Sequence, residues 1–546
     1  MIHLQEKPFY LNKTQEEWVY RTLTGMTDEE KLGQLFVVLG PAYGEEELKQ
    51  LIAEHHIGGV LYRPMPAAAL KKTWKQLDAC AKIPLLKAAN LEEGGYGANS
   101  EGTYFGSQMQ TAAADDLTQT EHLAKICAVE GRAAGCNWNF APVSDIDLNF
   151  RNPITNVRTF GSDPEKVCRN VEVYVKTLQA CGMAAACKHF PGDGVDFRDQ
   201  HLHPTYNSLP AEQWYETYGK IYQTAIEAGL LSVMVGHIVQ PAVEREQNSA
   251  LTFADCLPAS QSREMLTGVL REKFGFNGVI ITDATIMGGY CMSMERRKAL
   301  PTSLMAGCDM FCFTPDIYED LAILRQALQN GELTRTRLDE AVTRILALKR
   351  KLEDEPAALP EIQAAAWKAE CADRAVTLVK DTQKLIPVQA EKYPKIKLVC
   401  IGEDTLPEGG SMAELAADYL TQHGFTVARY DPMVDDLHGA GNLPKDRLTL
   451  MLVNLPTASN QTTVRIHWCK KHALDTPRFV HEEAVAMISL NNPYHLQDAP
   501  RVPTYINAYS PTWDALHAGL DKLLGKSAFT GVSPVDAFCG LPDTQL

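Results

Sequence analysis

Several things are missing from this chain, and each absence removes a class of function. No stretch approaches the ~18 uninterrupted apolar residues of a membrane span. The opening residues, Met1-Ile-His-Leu-Gln-Glu-Lys7, carry no apolar core and no small-residue cleavage site, so no secretory signal is predicted. Lys and Arg form no long runs and the formal charge is −16, which argues against nucleic acid or a membrane surface as partner. There is no HExxH and no paired Cys/His spacing. No GxGxxG follows the first apolar run, and there is neither an internal repeat nor a low-complexity tail. The 14 cysteines are scattered, many inside apolar runs, such as Cys136, Cys187, Cys308, Cys312 and Cys400. They predict buried free thiols in a reducing, cytoplasmic compartment rather than a disulfide framework.

What is present is an ordinary globular composition, 45% hydrophobic, in 546 residues, enough for more than one domain. Thr14 with Glu17 and Thr27 with Glu30 fit capping boxes and predict two N-terminal helices. Apolar runs of strand length then recur: Leu35–Leu39, Gly59–Tyr62, Pro84–Ala88, Asn137–Val143, Ala184–His189, Leu231–His237, Val279–Asp283 and Met310–Phe313. Helix-length segments separate most of them, for example Pro164 to Ala180 and Pro258 to Phe274. Uninterrupted apolar strands suit a parallel sheet covered on both faces. Eight of them over roughly 350 residues predict a (βα)8 barrel, with a doubly wound open sheet as the alternative. Thr334–Leu352 closes the barrel as a strong helix. Glu353 to Pro360 reads as a linker, and a helix over about Glu361–Lys380 leads into a smaller α/β sandwich domain. The expected boundaries are therefore 1–352, 353–380 and 381–546. Strands are predicted there at Lys397–Ile401, Phe425–Tyr430, Leu448–Leu455, Ala484–Leu490 and Thr504–Ala508, with helices near Met412–Gln422 and Pro511–Leu524.

The chemistry concentrates at strand ends, where barrels build their sites. The run Lys188-His189-Phe190-Pro191-Gly192-Asp193-Gly194 through Asp199-Gln200-His201 leaves an apolar strand and turns sharply. Its Asp199 and His201 are spaced so that a carboxylate can orient an imidazole. A solvated charged turn is the plainer reading of the same residues. A metal set from His189, Asp193, Asp199, His201 and His203 lacks supporting spacing. Asp283 ends a β-branched run, which fixes it as a candidate nucleophile or charge stabiliser, a helix N-cap being the structural alternative. Arg158 and Lys188 are candidate clamps for hydroxyls or a carboxylate, or else surface ion pairs. His237 closes the sixth strand, either lining the pocket or satisfied in the core. Asn90, Glu92 and Glu93 follow the third strand, and Asp145 the fourth.

Taken together, Lys188-His189-Phe190-Pro191-Gly192 with Asp199-x-His201 resembles the β-N-acetylhexosaminidase branch of the family-3 glycoside hydrolases. So do Phe140-Ala141-Pro142-Val143, Val157 to Pro164, and Leu270-Arg271 through Phe274-Gly275-Phe276 to Thr282-Asp283. Val376 to Asp381 and Leu385-Ile386-Pro387-Val388 resemble the start of that family's second domain. The resemblance implies a retaining exo-glycosidase that needs no cofactor or metal. Asp283 would be the nucleophile, and His201, supported by Asp199, the acid/base. Arg158, Lys188, His189, Asn90, Glu93 and His237 would surround the terminal sugar. It implies a glycoside or oligosaccharide substrate ending in β-linked N-acetylhexosamine, most naturally N-acetylglucosamine. The chain departs from the pattern in two places. Asp193 stands where the branch commonly has His, and Leu91-Glu92-Glu93 where it has Asp-Gln-Glu. β-Glucosidase, β-xylosidase and phosphorolytic activities therefore stay open. So do an inactive sugar-binding barrel and a metal-dependent barrel hydrolase. Oligomeric state is not legible.

Overall fold

A computed structural model describes residues 2–354, 358–434 and 440–546. The chain forms two compact units. The first comprises Met1–Thr103, Glu121–Asn149 and Pro164–Ile362; the second comprises Tyr104–Thr120, Phe150–Asp163 and Gln363–Leu546. The second unit thus takes two segments from inside the span 1–352, where contiguous domains were expected.

In the first unit, eight parallel strands close a barrel. They are β1 (Phe36–Leu39), β2 (Gly59–Leu61), β3 (Leu86–Ala89), β4 (Trp138–Asn139), β5 (Ala184–Phe190), β6 (Ser232–Val235), β7 (Val279–Ala284) and β8 (Met310–Cys312). Each pairs with its sequence neighbours, and β1 closes on β8 with Phe36 opposite Phe311. Side chains on both faces are buried, since the barrel fills its interior and the helices cover its outside. Pro164–Ala180 is such a helix: Val167, Val171, Tyr174, Val175 and Leu178 make its buried stripe. Arg335–Leu352 is another, capped by Thr334 on the Arg337 amide. Asp309 fixes the base of β7. It accepts the Ile280 amide at 2.9 Å and the guanidiniums of Arg271 at 2.6 Å and Arg337 at 2.8 Å. No helix of the described residues is long and apolar enough to cross a membrane.

Four local expectations are corrected. The first helix is capped by Asn12 with Gln15, not by Thr14 with Glu17; the Thr27–Glu30 box is present. The fourth strand is regular over Trp138–Asn139 only; beyond it the pairing with β5 runs on irregularly, with Ala141 O and Pro142 O accepting the Ala186 and Lys188 amides and Val143 bridging Lys188. The Asn139 side-chain amide bonds both polar backbone atoms of Leu91. Pro258 to Phe274 is not one helix. A turn at Ala259–Gln261 precedes a π-helical Glu264–Lys273, since the Ser260 and Ser262 hydroxyls are bonded elsewhere, to His237 and Glu244. The helix expected to reach Lys380 stops at Ala375. Thr377–Asp381, rich in β-branched residues, is a strand. Of the expected linker, residues 355–357 lie outside the described residues.

The second unit is built on one six-stranded sheet. Its strands are β9 (Thr377–Asp381), β10 (Lys395–Gly402), β11 (Thr426–Arg429), β12 (Arg447–Asn454), β13 (Ala484–Ser489) and β14 (Thr504–Asn507), in the order β9-β14-β13-β12-β10-β11. Only β9 runs antiparallel to its neighbour. Alternation sends Ile396, Leu398, Leu448, Leu450 and Ile488 to one apolar layer. Val399, Ile401, Met451, Val453 and Met487 go to the other. Helices Met412–Gln422 and Trp513–Leu523 pack into the first layer. The second is covered by irregular chain, including Ile466, Val480 and Leu496.

Candidate active site

The site gathers at the C-terminal ends of the barrel strands. Lys188 and His189 leave the end of β5, and both are buried. A buried cation needs a partner. Lys188 Nζ finds Glu92 Oε1 at 2.5 Å, with Asn90 Oδ1 at 3.5 Å. Glu92, from the loop after β3, therefore occupies the place next to the lysine. Leu91 turns into the core, fully buried. Glu93 sits half-buried in the same loop.

His189 is held by Asp145. One oxygen takes His189 Nδ1 at 2.8 Å; the other takes the amides of His189 at 3.0 Å and Asp193 at 2.8 Å. The ring then aims Nε2 at Asp283 Oδ2, 3.8 Å away. Asp283 itself ends β7 with its carboxylate 14% exposed, open enough to meet a substrate. Burial pushes its carboxyl up, but the charges of His189 and His201 and the Ala284 amide outweigh it. The net result is a carboxylate held below its ordinary range.

Asp199 and His201 are joined as their spacing suggested. Asp199 Oδ1 accepts both His201 Nδ1 at 2.6 Å and the His201 amide at 2.8 Å. The Asp199 carboxylate is inaccessible, while the imidazole is 21% exposed. The pair fixes which ring nitrogen faces inward and leaves Nε2 to exchange protons. Its loop is fastened to the chain after Asp283. The Gly288 amide bonds His201 O at 2.8 Å, and the Gly289 amide bonds Gln200 O at 3.2 Å. Gln200 adds two more ties, accepting the His237 amide at 2.7 Å and donating to Asp193 Oδ2 at 3.2 Å.

His237 does not line the pocket with a free nitrogen. It is completely buried, Nδ1 meets Ser260 Oγ at 2.9 Å and Nε2 meets Ala284 O at 3.1 Å. Burial pushes its pKa down to about 4, so it is a neutral ring that donates to Ala284 and accepts from Ser260. It is a positioning residue behind Asp283. Arg158 belongs to the second unit, in a turn at Asn156–Arg158 where its guanidinium bonds Ile154 O at 3.1 Å. Among the described residues, no group of three or more His, Cys, Asp or Glu is arranged to hold a metal ion. Asp193 instead turns to the Gly194 amide and Gln200.

Gln200 and the Gly288-Gly289 pair were not among the residues singled out for the site, and Asp145 was marked by its place after the fourth strand but given no role. Asp145 carried a signal, as a charged residue soon after a barrel strand. The two glycines carried one as well, five and six residues beyond Asp283. A Cβ on Gly289 would sit 2.5 Å from Gln200 O and 2.7 Å from His237 Cβ. Gly289→Ala is therefore expected to pull the His201 loop away from Asp283. It should lower kcat about 10- to 100-fold with KM less affected, a displacement cost typical of misplaced catalytic groups. Steady-state kinetics check this; unchanged kcat would show that the loops move independently.

In sum, the barrel mouth holds an ionised carboxylate, an imidazole–carboxylate pair able to give and take a proton, and a buried Lys–Glu pair suited to hydroxyl groups. The Glycosyl hydrolase family 3 N terminal domain matches residues 27–348. A beta-N-acetylglucosaminidase/beta-glucosidase of Cellulomonas fimi is 41% identical over the full length of both chains. A beta-hexosaminidase of Xanthomonas oryzae pv. oryzae is 31% identical over 48% of this chain and 76% of its own. Among solved structures, the beta-glucoside phosphorylase BglX bound to 2FGlc superposes with a TM-score of 0.92 at 42% identity. It covers 98% of this chain and 99% of its own.

Proposed function

We propose that this chain, which belongs to glycosyl hydrolase family 3, removes terminal β-linked N-acetylglucosamine with retention of configuration. That it is a glycoside hydrolase acting on β-linked sugars follows from the family and its relatives. The specificity, the stereochemistry and the residue roles are the proposal. We assign the reaction to the barrel domain, within residues 1–352.

The observation that carries the reading is the ionised Asp283 carboxylate sharing a mouth with the Asp199–His201 pair. In the first step an Asp283 oxygen bonds the anomeric carbon as the glycosidic bond breaks. The His201 Nε2 proton passes to the departing oxygen. In the second, neutral His201 takes a proton from water, whose oxygen displaces Asp283 from the same carbon. Two inversions give retention. Asp199 is the counter-charge that stabilises the imidazolium before bond cleavage. Lys188 with Glu92, His189, Asn90 and Glu93 are assigned to holding the sugar.

Phosphate as the second-step acceptor is the alternative. The base is then a neutral imidazole that does not repel an anion, and a structure similar to this chain is a beta-glucoside phosphorylase. Initial rates on aryl β-glycosides of N-acetylglucosamine, glucose and xylose, with and without phosphate, decide between them. Selective, phosphate-independent release from the N-acetylglucosaminide is expected. A sugar 1-phosphate formed only with phosphate would turn the assignment to phosphorolysis. Glucoside or xyloside preference would remove the N-acetylglucosamine specificity.

A further inference from the structure

The second unit contains a cavity of about 400 Å³ that no part of this chemistry uses. Its origin lies in the alternation of the sheet. On one face β10 presents Lys395, Lys397, Val399 and Ile401, and β12 presents Arg447, Thr449, Met451 and Val453. The later members of each row belong to the apolar layer. The earlier members do not, so the same face changes from apolar to cationic toward the strand starts. The cavity lies over that cationic end.

Among the described residues its lining includes the cations Lys395, Lys397, Arg429, Arg447 and Arg478 against one carboxylate, Glu483. Two acids beyond the lining take rim cations: Asp446 bonds Lys395 at 2.9 Å, and Asp404 lies 3.5 Å from Arg429. Glu483 is shared between Arg447 Nη2 at 3.0 Å and Thr449 Oγ1 at 3.1 Å. Arg447 Nε is buried with no hydrogen-bond partner, an expensive arrangement for a charged donor. Arg478 Nη2 bonds the carbonyls of His472 and Ala473, which occupy that one nitrogen without cancelling the charge. Leu474, Phe479 and Tyr430 complete the walls. Tyr430 carries Lys397 Nζ 3.8 Å from its ring centroid.

A cavity of this size, apolar on one side with convergent guanidiniums on the other, fits a ligand having both parts. We propose that it binds a small organic phosphate monoester. The phosphate lies against Arg447 and Arg478, with Lys397 close by, and the organic body lies against Leu474 and Phe479. Neither inorganic phosphate nor an uncharged ring fills both halves.

Titration calorimetry of the full chain with phenyl phosphate, inorganic phosphate and phenol tests this. Saturable one-to-one binding of phenyl phosphate is expected, tighter than either fragment, and retained by Asp283→Ala. Arg478→Gln and Lys397→Gln should each weaken it about tenfold or more, as loss of a charge-assisted contact does. Both variants should cleave aryl glycosides at the normal rate. No saturation at millimolar phenyl phosphate overturns the proposal. So does undiminished affinity in both variants. Binding lost in Asp283→Ala but kept in the two cavity variants overturns it too, by moving the anion to the catalytic mouth.

Discussion

Asp283→Ala is expected to lower kcat on an aryl β-glycoside by about 10³- to 10⁵-fold, the scale on which removing a covalent nucleophile acts. The fold should survive. The side chain is partly open to the mouth, and His189, 3.8 Å from it, keeps the Asp145 bond when Asp283 is gone. An unchanged circular dichroism spectrum with a melting temperature within a few degrees checks this. The pH profile carries a second signature. His189, His201 and the Ala284 amide hold Asp283 below the ordinary carboxylate range, against the pull of burial. Its ionised form therefore persists to lower pH than that of an ordinary aspartate, and activity that needs it is lost only as pH falls through that lowered range. The acid limb of kcat/KM is expected to lie below the ordinary aspartate range wherever Asp283 ionisation sets it. Near-normal turnover in the alanine variant would remove the nucleophile assignment outright.

His201→Ala is the second large effect, and its size should depend on the leaving group. General acid catalysis contributes about 10²- to 10⁴-fold, chiefly where the departing oxygen is basic. Sugar or alkyl leaving groups should therefore lose that much. A dinitrophenyl group, which departs without a proton, should show a near-normal first step and a slow second one. A burst of phenol in stopped-flow measurements would display the trapped glycosyl-enzyme. Asp199→Asn should give a milder version of the same pattern, because the ring stays in place while its counter-charge is lost. Equal losses on all leaving groups would mean that His201 only supports the loop. No loss at all would place the proton donor elsewhere.

Much of this was legible in one dimension, for identifiable reasons. Barrel strands are buried on both faces, so they appear as uninterrupted apolar runs, and seven of the eight were marked with ends close to those observed. The fourth is regular over two residues only, although its backbone pairing with β5 runs on to Val143 as the apolar run suggested. The Asp199–His201 contact could be read because two residues of separation put it within reach. The partners of Lys188 and His189 could not, since Glu92 and Asp145 are brought to them only by strands lying side by side in the barrel. His237 had two readings in the sequence. Ser260 and the Ala284 carbonyl decide between them, and both contacts exist only after folding. The cationic cavity was invisible for the same reason: its lysines and arginines come from three strands and one covering segment.

The distribution of thiols gives the molecule a built-in label position. All fourteen cysteines are unpaired, yet only Cys291 is exposed. Burial pushes thiols such as Cys127, Cys136 and Cys371 up in pKa, out of the nucleophilic range at neutral pH. Cys291 ends the short helix Gly288–Cys291, which begins at the two glycines that tie the His201 loop to the chain after β7. A maleimide fluorophore on the native protein would thus report from one turn beyond that clamp with no engineered cysteine, the half-buried Cys80, Cys256, Cys400 and Cys469 being the background to subtract.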